Sequence, residues 1–381
     1  MNDRIKIVVD NKIPMIRGVL EPFADVTYCN PFDINSEVVK DTDALIIRTR
    51  TKCNESLLKN STVKFIATAT IGYDHIDTNY CDSNNIKWMN APGCNSASVN
   101  QYIASAIVTI ANKKNLDLTK TTIGIVGVGN VGSKIARTAK LLGMSVLLND
   151  PPRARKEGQA GFVELNELVE KSDIITFHVP LIKEGVDKTY HMADDAFFNK
   201  LKSEKIIFNS SRGAVVETAA FKNAIKNGKV KAALLDVWEK EPDIDLELFN
   251  LVDIATPHIA GYSADGKANG TAACINGVSD YFNLGVEQNW YPVEIPSPVN
   301  NKQFTIECEC KTKQQILTEI VLYTYDILSD DATLRASVET FEKQRGSYPI
   351  RREFPYYEVK LNNSSKEIEE TVKNLGFTVL S

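Results

Sequence analysis

Ile123-Gly-Ile-Val-Gly-Val-Gly-Asn-Val-Gly132 decides the fold. Its core is Gly127-x-Gly129-x-x-Gly132, set between the β-branched run Thr121–Val126 and a helical stretch over Lys134–Leu142. In this strand–turn–helix setting each glycine has a physical task. Gly127 permits the tight turn, Gly129 lets the backbone approach a pyrophosphate, and Gly132 lets the helix pack close to the sheet. The helix N-terminus then presents unpaired N–H groups and a positive dipole end to phosphates. Asp150 ends the next strand, eighteen residues past Gly132. An acid there hydrogen-bonds a ribose 2′-hydroxyl and repels a 2′-phosphate, which favours NAD over NADP. Arg153 and Arg155, beyond Pro151-Pro152, read as solvated or as lining the adenine edge.

Short apolar runs continue on both sides. Val146–Asn149, Asp173–Phe177, Lys205–Asn209 and Lys231–Leu235 read as strands separated by helical segments. This is the pattern of a doubly wound parallel sheet with buried strands. Upstream, residues 4–9, Asp43–Arg48 and Lys64–Ala69 read as strands of further βαβ units, and Ser98–Ala111 as a long apolar helix. Trp290–Asn301 carries three prolines and reads as a linker. After it, Phe304, Ile306, Cys308 and Cys310 alternate as a strand, and Ile316–Leu328 reads as a helix. Tyr356–Leu361, Ser364–Leu375 and Phe377–Leu380 then read as strand, helix and strand, with Ser364 and Glu367 fitting a capping box.

The bulk numbers bound the function. A chain of 381 residues suggests two or three domains. A formal net charge of −5 gives no electrostatic case for nucleic acid or an anionic membrane. No apolar run approaches a membrane span, and Met1-Asn2-Asp3-Arg4 leads straight into Ile5–Val9, too short for a signal-peptide core. Seven cysteines without a C-x-x-C pair read as free thiols in a reducing cytoplasm, and no metal is expected.

Three polar segments follow predicted strands: Asn209-Ser-Ser-Arg-Gly-Ala-Val-Val216, Leu235-Asp-Val-Trp-Glu-Lys-Glu-Pro242 and Thr256-Pro-His-Ile-Ala-Gly261. Ligands of open α/β sheets sit beyond the carboxyl ends of strands, so Arg212, Glu241 and His258 are placed to converge. Oxidising a hydroxy acid removes a proton from oxygen and a hydride from carbon. His258 is the natural proton acceptor near neutral pH. Glu241 can hold its imidazole in one tautomer. Arg212 can bind a carboxylate through two hydrogen bonds and polarise a developing carbonyl. Of the other histidines, His75 reads as capping or packing a helix start, His178 as following a buried strand and His191 as lying in a polar loop.

Taken together, Gly127–Gly132, Asn209–Val216, Leu235–Pro242 and Thr256–Gly261 resemble the D-2-hydroxyacid dehydrogenases, over about residues 1–285. The resemblance implies an α/β fold with a Rossmann-type doubly wound parallel sheet at 96–258. This would be inserted in a flavodoxin-like split substrate domain, 1–95 and 259–287. The resemblance also implies cofactor contacts from Gly127, Gly129, Asn130, Val131, Gly132, Asp150, Val179, Ser210, Ser211, Arg212, Asp236 and Gly261, with Asp236 on the nicotinamide carboxamide. It implies substrate contacts from Thr49, Thr70 and Tyr262. Val179 stands where relatives carry threonine, and Ser211 where others carry cysteine. A narrower resemblance lies in Val321–Asp331, Phe341-Glu-Lys, Arg351-Arg-Glu-Phe, Leu375-Gly-Phe377, Ala260-Gly-Tyr-Ser263 and Ala67–His75. It is to a branch with a C-terminal α+β dimerisation domain, here 288–381, and so implies a homodimer. That branch oxidises 4-phospho-D-erythronate to 2-oxo-3-hydroxy-4-phosphobutanoate. A phosphate needs cationic partners, and Arg48, Arg50, Lys52, Arg345, Arg351 and Arg352 are the candidates. Two alternatives stay open at this point. One is another dehydrogenase of the family, acting on 3-phosphoglycerate or on hydroxypyruvate and glyoxylate. The other is an NAD-sensing binding protein without catalysis.

Overall fold

The computed structural model describes residues 4–381; Met1-Asn2-Asp3, read above as leading into the first strand, lie outside the described residues. Two compact units share the chain. One takes the residues up to Asn95 together with Ser263–Ser297, and the other takes Ser96–Tyr262 with Pro298–Ser381.

The first unit holds strands β1 (Lys6–Asp10), β2 (Asp25–Cys29), β3 (Ala44–Ile47), β4 (Phe65–Thr68) and β5 (Lys87–Met89). They form an all-parallel sheet in the order β2-β1-β3-β4-β5, the flavodoxin-like winding. β3 and β4 are buried along their whole length, which is why their sequences show no alternation. β2 and β5 carry half-exposed residues with polar or lone aromatic side chains, and periodicity does not mark them. Helix Ala264–Phe282, capped by the Ser263 hydroxyl, packs on this sheet. A Cβ at Gly270 would sit 2.7 Å from the Ala69 carbonyl, so glycine sets the close approach. The chain re-enters this unit at Ser263, whereas the motifs suggested residue 259.

The second unit is built on β6 (Thr122–Val126), β7 (Ser145–Asn149), β8 (Ile174–Phe177), β9 (Lys205–Asn209), β10 (Val230–Leu235) and β11 (Ile254–Ala255). Their order is β11-β10-β9-β8-β6-β7, all parallel. Beyond β7, the Val163 N–H donates to the Leu148 carbonyl at 2.8 Å, a stub of one more edge strand. The winding reverses between β6 and β8, and a ligand crevice is expected above the carboxyl ends there. Helix Ser96–Lys114 is buried from Val99 through Ala111, so its apolar residues run all round rather than in a stripe.

The tail adds three parallel strands, β12 (Gln303–Glu307), β13 (Glu358–Asn362) and β14 (Thr378–Leu380), with helices Lys313–Thr324, Ile327–Ala336 and Lys366–Leu375. It does not keep a separate core. Phe304, Ile316, Ile320, Tyr357 and Phe377 share one buried cluster with Tyr102, Ile107, Ile125 and Phe208. Two local expectations are corrected. The last long helix is capped by Ser365, not Ser364, whose hydroxyl instead meets Glu369 at 2.9 Å; a capping box forms at Thr312 and Gln315. β12 ends at Glu307, so Cys308 is buried while Cys310, in left-handed backbone, is exposed. No helix among the described residues is long and apolar enough to cross a membrane.

Candidate active site

The glycine turn follows β6. Gly127 has φ +88, and a Cβ on it would sit 2.5 Å from the His178 carbonyl. A Cβ on Gly132 would sit 2.0 Å from the Gly127 carbonyl, so the helix Asn130–Leu141 starts hard against the turn. Gly129 differs: nothing lies within 4 Å of its Cβ direction, which leaves the helix N-terminus open to a ligand. Asn130 is exposed, and Val131 is half-buried and packed on the core. Asp150 follows β7 and is aimed by the backbone. One carboxylate oxygen accepts the Val128 N–H at 2.8 Å, and the other accepts the Arg153 N–H at 3.1 Å as a helix cap. The neighbouring cations are engaged elsewhere, Arg153 on Glu157 and the Val128 carbonyl, Arg155 on Asp187. Val179, after β8, packs beside the turn. The Ser210 hydroxyl, after β9, is buried without a partner, while Ser211 is held by Asn209. An open helix N-terminus, an oriented acid and an orphaned hydroxyl along the carboxyl ends of β6, β7 and β9 fit a dinucleotide.

β9, β10 and β11 are neighbours, so the segments after them meet. The Asn209 side chain ties the first, donating to the Arg212 carbonyl at 2.9 Å, while Arg212 donates to the Ser211 carbonyl at 2.8 Å. Gly213 brings this loop against the next. A Cβ on it would sit 2.0 Å from the Trp238 carbonyl carbon and 2.5 Å from the Glu239 nitrogen. Any side chain there would push apart the loops carrying Arg212 and Glu241.

Glu241 accepts the Trp238 N–H at 2.9 Å through one oxygen and meets His258 Nδ1 at 2.7 Å through the other. Burial alone would raise the Glu241 carboxyl. The hydrogen bond and charge of His258, the Trp238 N–H and the Arg345 cation together hold it below its ordinary value. His258 has φ +56, a left-handed backbone that costs a non-glycine residue free energy and persists where the surroundings impose it. Its Nε2 makes no hydrogen bond to a described residue. With Nδ1 bonded to a carboxylate, Nε2 is the nitrogen left to take a proton.

What imposes that backbone is Asp236. It is 1% exposed, and it accepts the Thr256 hydroxyl at 2.7 Å, the Ile259 N–H at 2.7 Å and the Ala260 N–H at 3.0 Å. Tyr102, on the long buried helix, meets the Thr256 hydroxyl at 2.6 Å. The implied cofactor residue is thus also the anchor of the His258 loop.

The tail grips the same segment. β11 is an edge strand of two residues. Asp331 accepts its Ala255 N–H at 2.7 Å, and Arg335 donates to the Val252 carbonyl at 2.8 Å. Beyond His258, Arg351 donates to the Ala260 carbonyl at 2.6 Å and to the Ser98 hydroxyl at 3.0 Å, with its guanidinium 4.4 Å over the Tyr325 ring. Tyr348 packs edge-on against Tyr262 at 5.7 Å. Asp331, Arg335 and Arg351 lie far from this segment in sequence.

Thr49 and Thr70 follow the adjacent strands β3 and β4 of the first unit. Thr49 is exposed, and the Thr70 hydroxyl donates to the Gly72 carbonyl at 2.9 Å. His75 meets the Thr68 hydroxyl at 3.1 Å, and burial pulls it down to about 4. Gly261 and Tyr262 are half-buried just past the His258 loop.

Comparison with known proteins agrees with this geometry. Residues 97–260 match the model of the D-isomer specific 2-hydroxyacid dehydrogenase NAD-binding domain, and residues 297–376 match a domain of unknown function. The chain is 51% identical to a Bacteroides fragilis protein named erythronate-4-phosphate dehydrogenase, over 93% of this chain and 99% of that one. It is 40% identical to the Escherichia coli protein of the same name, over 92% of each. The solved D-lactate dehydrogenase of Aquifex aeolicus, complexed with NAD and lactic acid, superposes with a TM-score of 0.62 at 25% identity. That match covers 77% of this chain and all of the other. The chain belongs to the D-isomer-specific 2-hydroxyacid dehydrogenases, in the branch of the erythronate-4-phosphate dehydrogenases.

Proposed function

We propose that this chain oxidises 4-phospho-D-erythronate at C2 to 2-oxo-3-hydroxy-4-phosphobutanoate, with NAD as hydride acceptor, in pyridoxal 5′-phosphate biosynthesis. The names of its relatives select the substrate. The observation that carries the chemistry is the 2.7 Å pair of His258 Nδ1 with Glu241. That pair leaves Nε2 to accept the proton of the C2 hydroxyl, and Glu241 stabilises the imidazolium that forms. Arg212 pairs with the C1 carboxylate and polarises the C2 oxygen as it becomes a carbonyl. Thr49, Thr70 and Tyr262 orient the rest of the substrate. Gly127, Gly129, Asn130, Val131, Gly132, Val179, Ser210, Ser211, Asp236 and Gly261 line the dinucleotide, and Asp150 takes the adenosine ribose. NAD, when bound, supplies the carbon that receives the hydride from C2.

In this reading the first unit is the substrate domain, Ser96–Tyr262 carries the cofactor, and the tail also joins two chains into a homodimer. Truncating the tail would open the core it shares with the NAD-binding part, so assembly is tested on the intact chain. Sedimentation giving only a monomer would remove the dimer. The function is tested by NADH formation with synthetic 4-phospho-D-erythronate, run beside 3-phosphoglycerate, hydroxypyruvate and glyoxylate in their reactive directions. Turnover of one of those, with none of 4-phospho-D-erythronate, contradicts the assignment.

A further inference from the structure

We propose that the tail supplies the substrate's phosphate with its cation, and that this cation is Arg345 of the same chain that carries His258. The proposal rests on the reading above. Three observations lead to it.

The first is placement. The stretch after helix Phe341–Gly346 runs along the segment that follows His258. Arg351 holds the Ala260 carbonyl, and Tyr348 packs on Tyr262. Arg345, in the last turn of that helix and three residues before Tyr348, is close enough for its charge to be felt by both Tyr262 and Glu241. The phosphate of the proposed substrate lies four bonds from the carbon whose hydroxyl meets His258, so a group just beyond Tyr262 suits it.

The second is the state of the side chain. Arg345 is 16% exposed, and among the described residues it forms one ion pair, from Nη1 to Glu342 at 2.9 Å. Its Nε is buried with no hydrogen-bond partner. Glu241 does not complete it: its oxygens bond Trp238 and His258, and no hydrogen bond joins it to Arg345. A buried guanidinium with an unused edge favours a planar or tetrahedral oxyanion that accepts two parallel hydrogen bonds.

The third is elimination. Arg48 is locked to the fully buried Asp10 at 2.9 and 3.3 Å. Arg351 is 5% exposed: its Nη2 serves the Ala260 carbonyl and the Ser98 hydroxyl, and its guanidinium lies over the Tyr325 ring. Its Nε and Nη1, though also without hydrogen-bond partners, are thus more deeply buried than Arg345. Arg352 lies 4.2 Å over the Tyr356 ring. Arg50 and Lys52 are exposed beyond β3, in the other unit. Arg345 is the tail cation left beside the reaction site. The lactate enzyme, whose bound lactic acid has no phosphate, matches this chain while leaving out a part the size of the tail.

The test uses the full-length chain, with Arg345→Met and Arg345→Lys beside the wild type. The quantity read is kcat/KM for 4-phospho-D-erythronate divided by kcat/KM for unphosphorylated D-erythronate, at saturating NAD. Arg345→Met is expected to lower this ratio about 10- to 100-fold, the worth of a charge-assisted pair. Arg345→Lys, which keeps the charge and loses the fork, is expected to lower it several-fold, and serves if the Met variant melts early. The inhibition constant of inorganic phosphate gives the same reading without a second substrate and is expected to rise in parallel. A ratio and inhibition constant that stay within about twofold of wild type, even if both substrates slow equally, overturn the proposal and make Arg345 a structural partner of Glu241. A wild-type protein that ignores 4-phospho-D-erythronate overturns the proposed function instead.

Discussion

His258 and His191 meet the same loop in nearly the same way and are left with different chemistry. Both have left-handed backbone, with φ +56 and +51. Each bonds a glutamate of the Trp238–Glu241 stretch, at 2.7 and 2.6 Å. His258 uses Nδ1, so Nε2 remains on the far side of the ring. His191 spends Nε2 on Glu239, and its ring is stacked 4.0 Å from Tyr190. The other Glu239 oxygen takes the Thr218 N–H at 2.9 Å, so that pair clasps loops together. His178 marks a third case. It has no carboxylate, it meets the Thr176 hydroxyl at 2.8 Å, and burial pulls it down to about 3. A histidine–glutamate pair is therefore not a catalyst by itself. The nitrogen left over decides.

Breaking each pair should give unlike results. His258→Asn is expected to lower kcat by about 10²–10⁴-fold, the usual worth of general base catalysis, with NAD affinity by titration little changed. A variant within tenfold of wild type would end the proposed role of His258. Arg351→Met loosens the carbonyl beyond His258 without touching substrate. It is expected to cost about tenfold in kcat, as small misplacements do, and to change the pH profile of kcat/KM. A fall in melting temperature alone, with kcat and profile intact, would leave Arg351 structural. His191→Gln is expected to cost about 1 kcal/mol in unfolding free energy, one hydrogen bond's worth, with kcat within twofold. A large loss of kcat there would erase the contrast between the two pairs.

The His178 contribution has a definite pH window. The unfolded ring titrates near 6.5 and the folded one at about 3, so between those values the unfolded chain binds the extra proton. Its stabilising effect is complete above pH 6.5 and is lost as pH falls toward 3. After allowance for solvent screening this is on the order of 1–3 kcal/mol. His178→Gln should flatten the acid side of stability against pH, measured by denaturant unfolding between pH 7 and 4. An unchanged slope would mean the ring is not held neutral.

Much of the second unit was legible in the sequence because its signals are local. The glycine turn, the acid after β7 and the β-branched runs of β6, β8, β9 and β10 each declare themselves within a few residues. Arg212, Glu241 and His258 were legible from their positions just past strands, and Glu241 and His258 do pair. β2, β5 and β11 were not legible, being short or half-exposed without a period. Nor was the hold on the His258 loop, although Asp331 and Arg351 fall within stretches that carry the narrower resemblance. Asp331, Arg335 and Arg351 act from 76 to 91 positions away. They bond main-chain groups of the loop, and main-chain groups leave no residue pattern to match. Gly213 stood inside a quoted motif, but its reason, backbone contact with Trp238 and Glu239, exists only in three dimensions.

The claim that Glu241 sets the usable nitrogen of His258 is tested most directly by nitrogen-15 NMR of the full-length protein labelled at its four histidines. The His258 signals would be assigned by their loss in His258→Asn. At a pH where the ring is neutral, the proton is expected on Nδ1 with a bare Nε2, and that preference is expected to weaken in Glu241→Gln. A neutral His258 carrying its proton on Nε2 would contradict it.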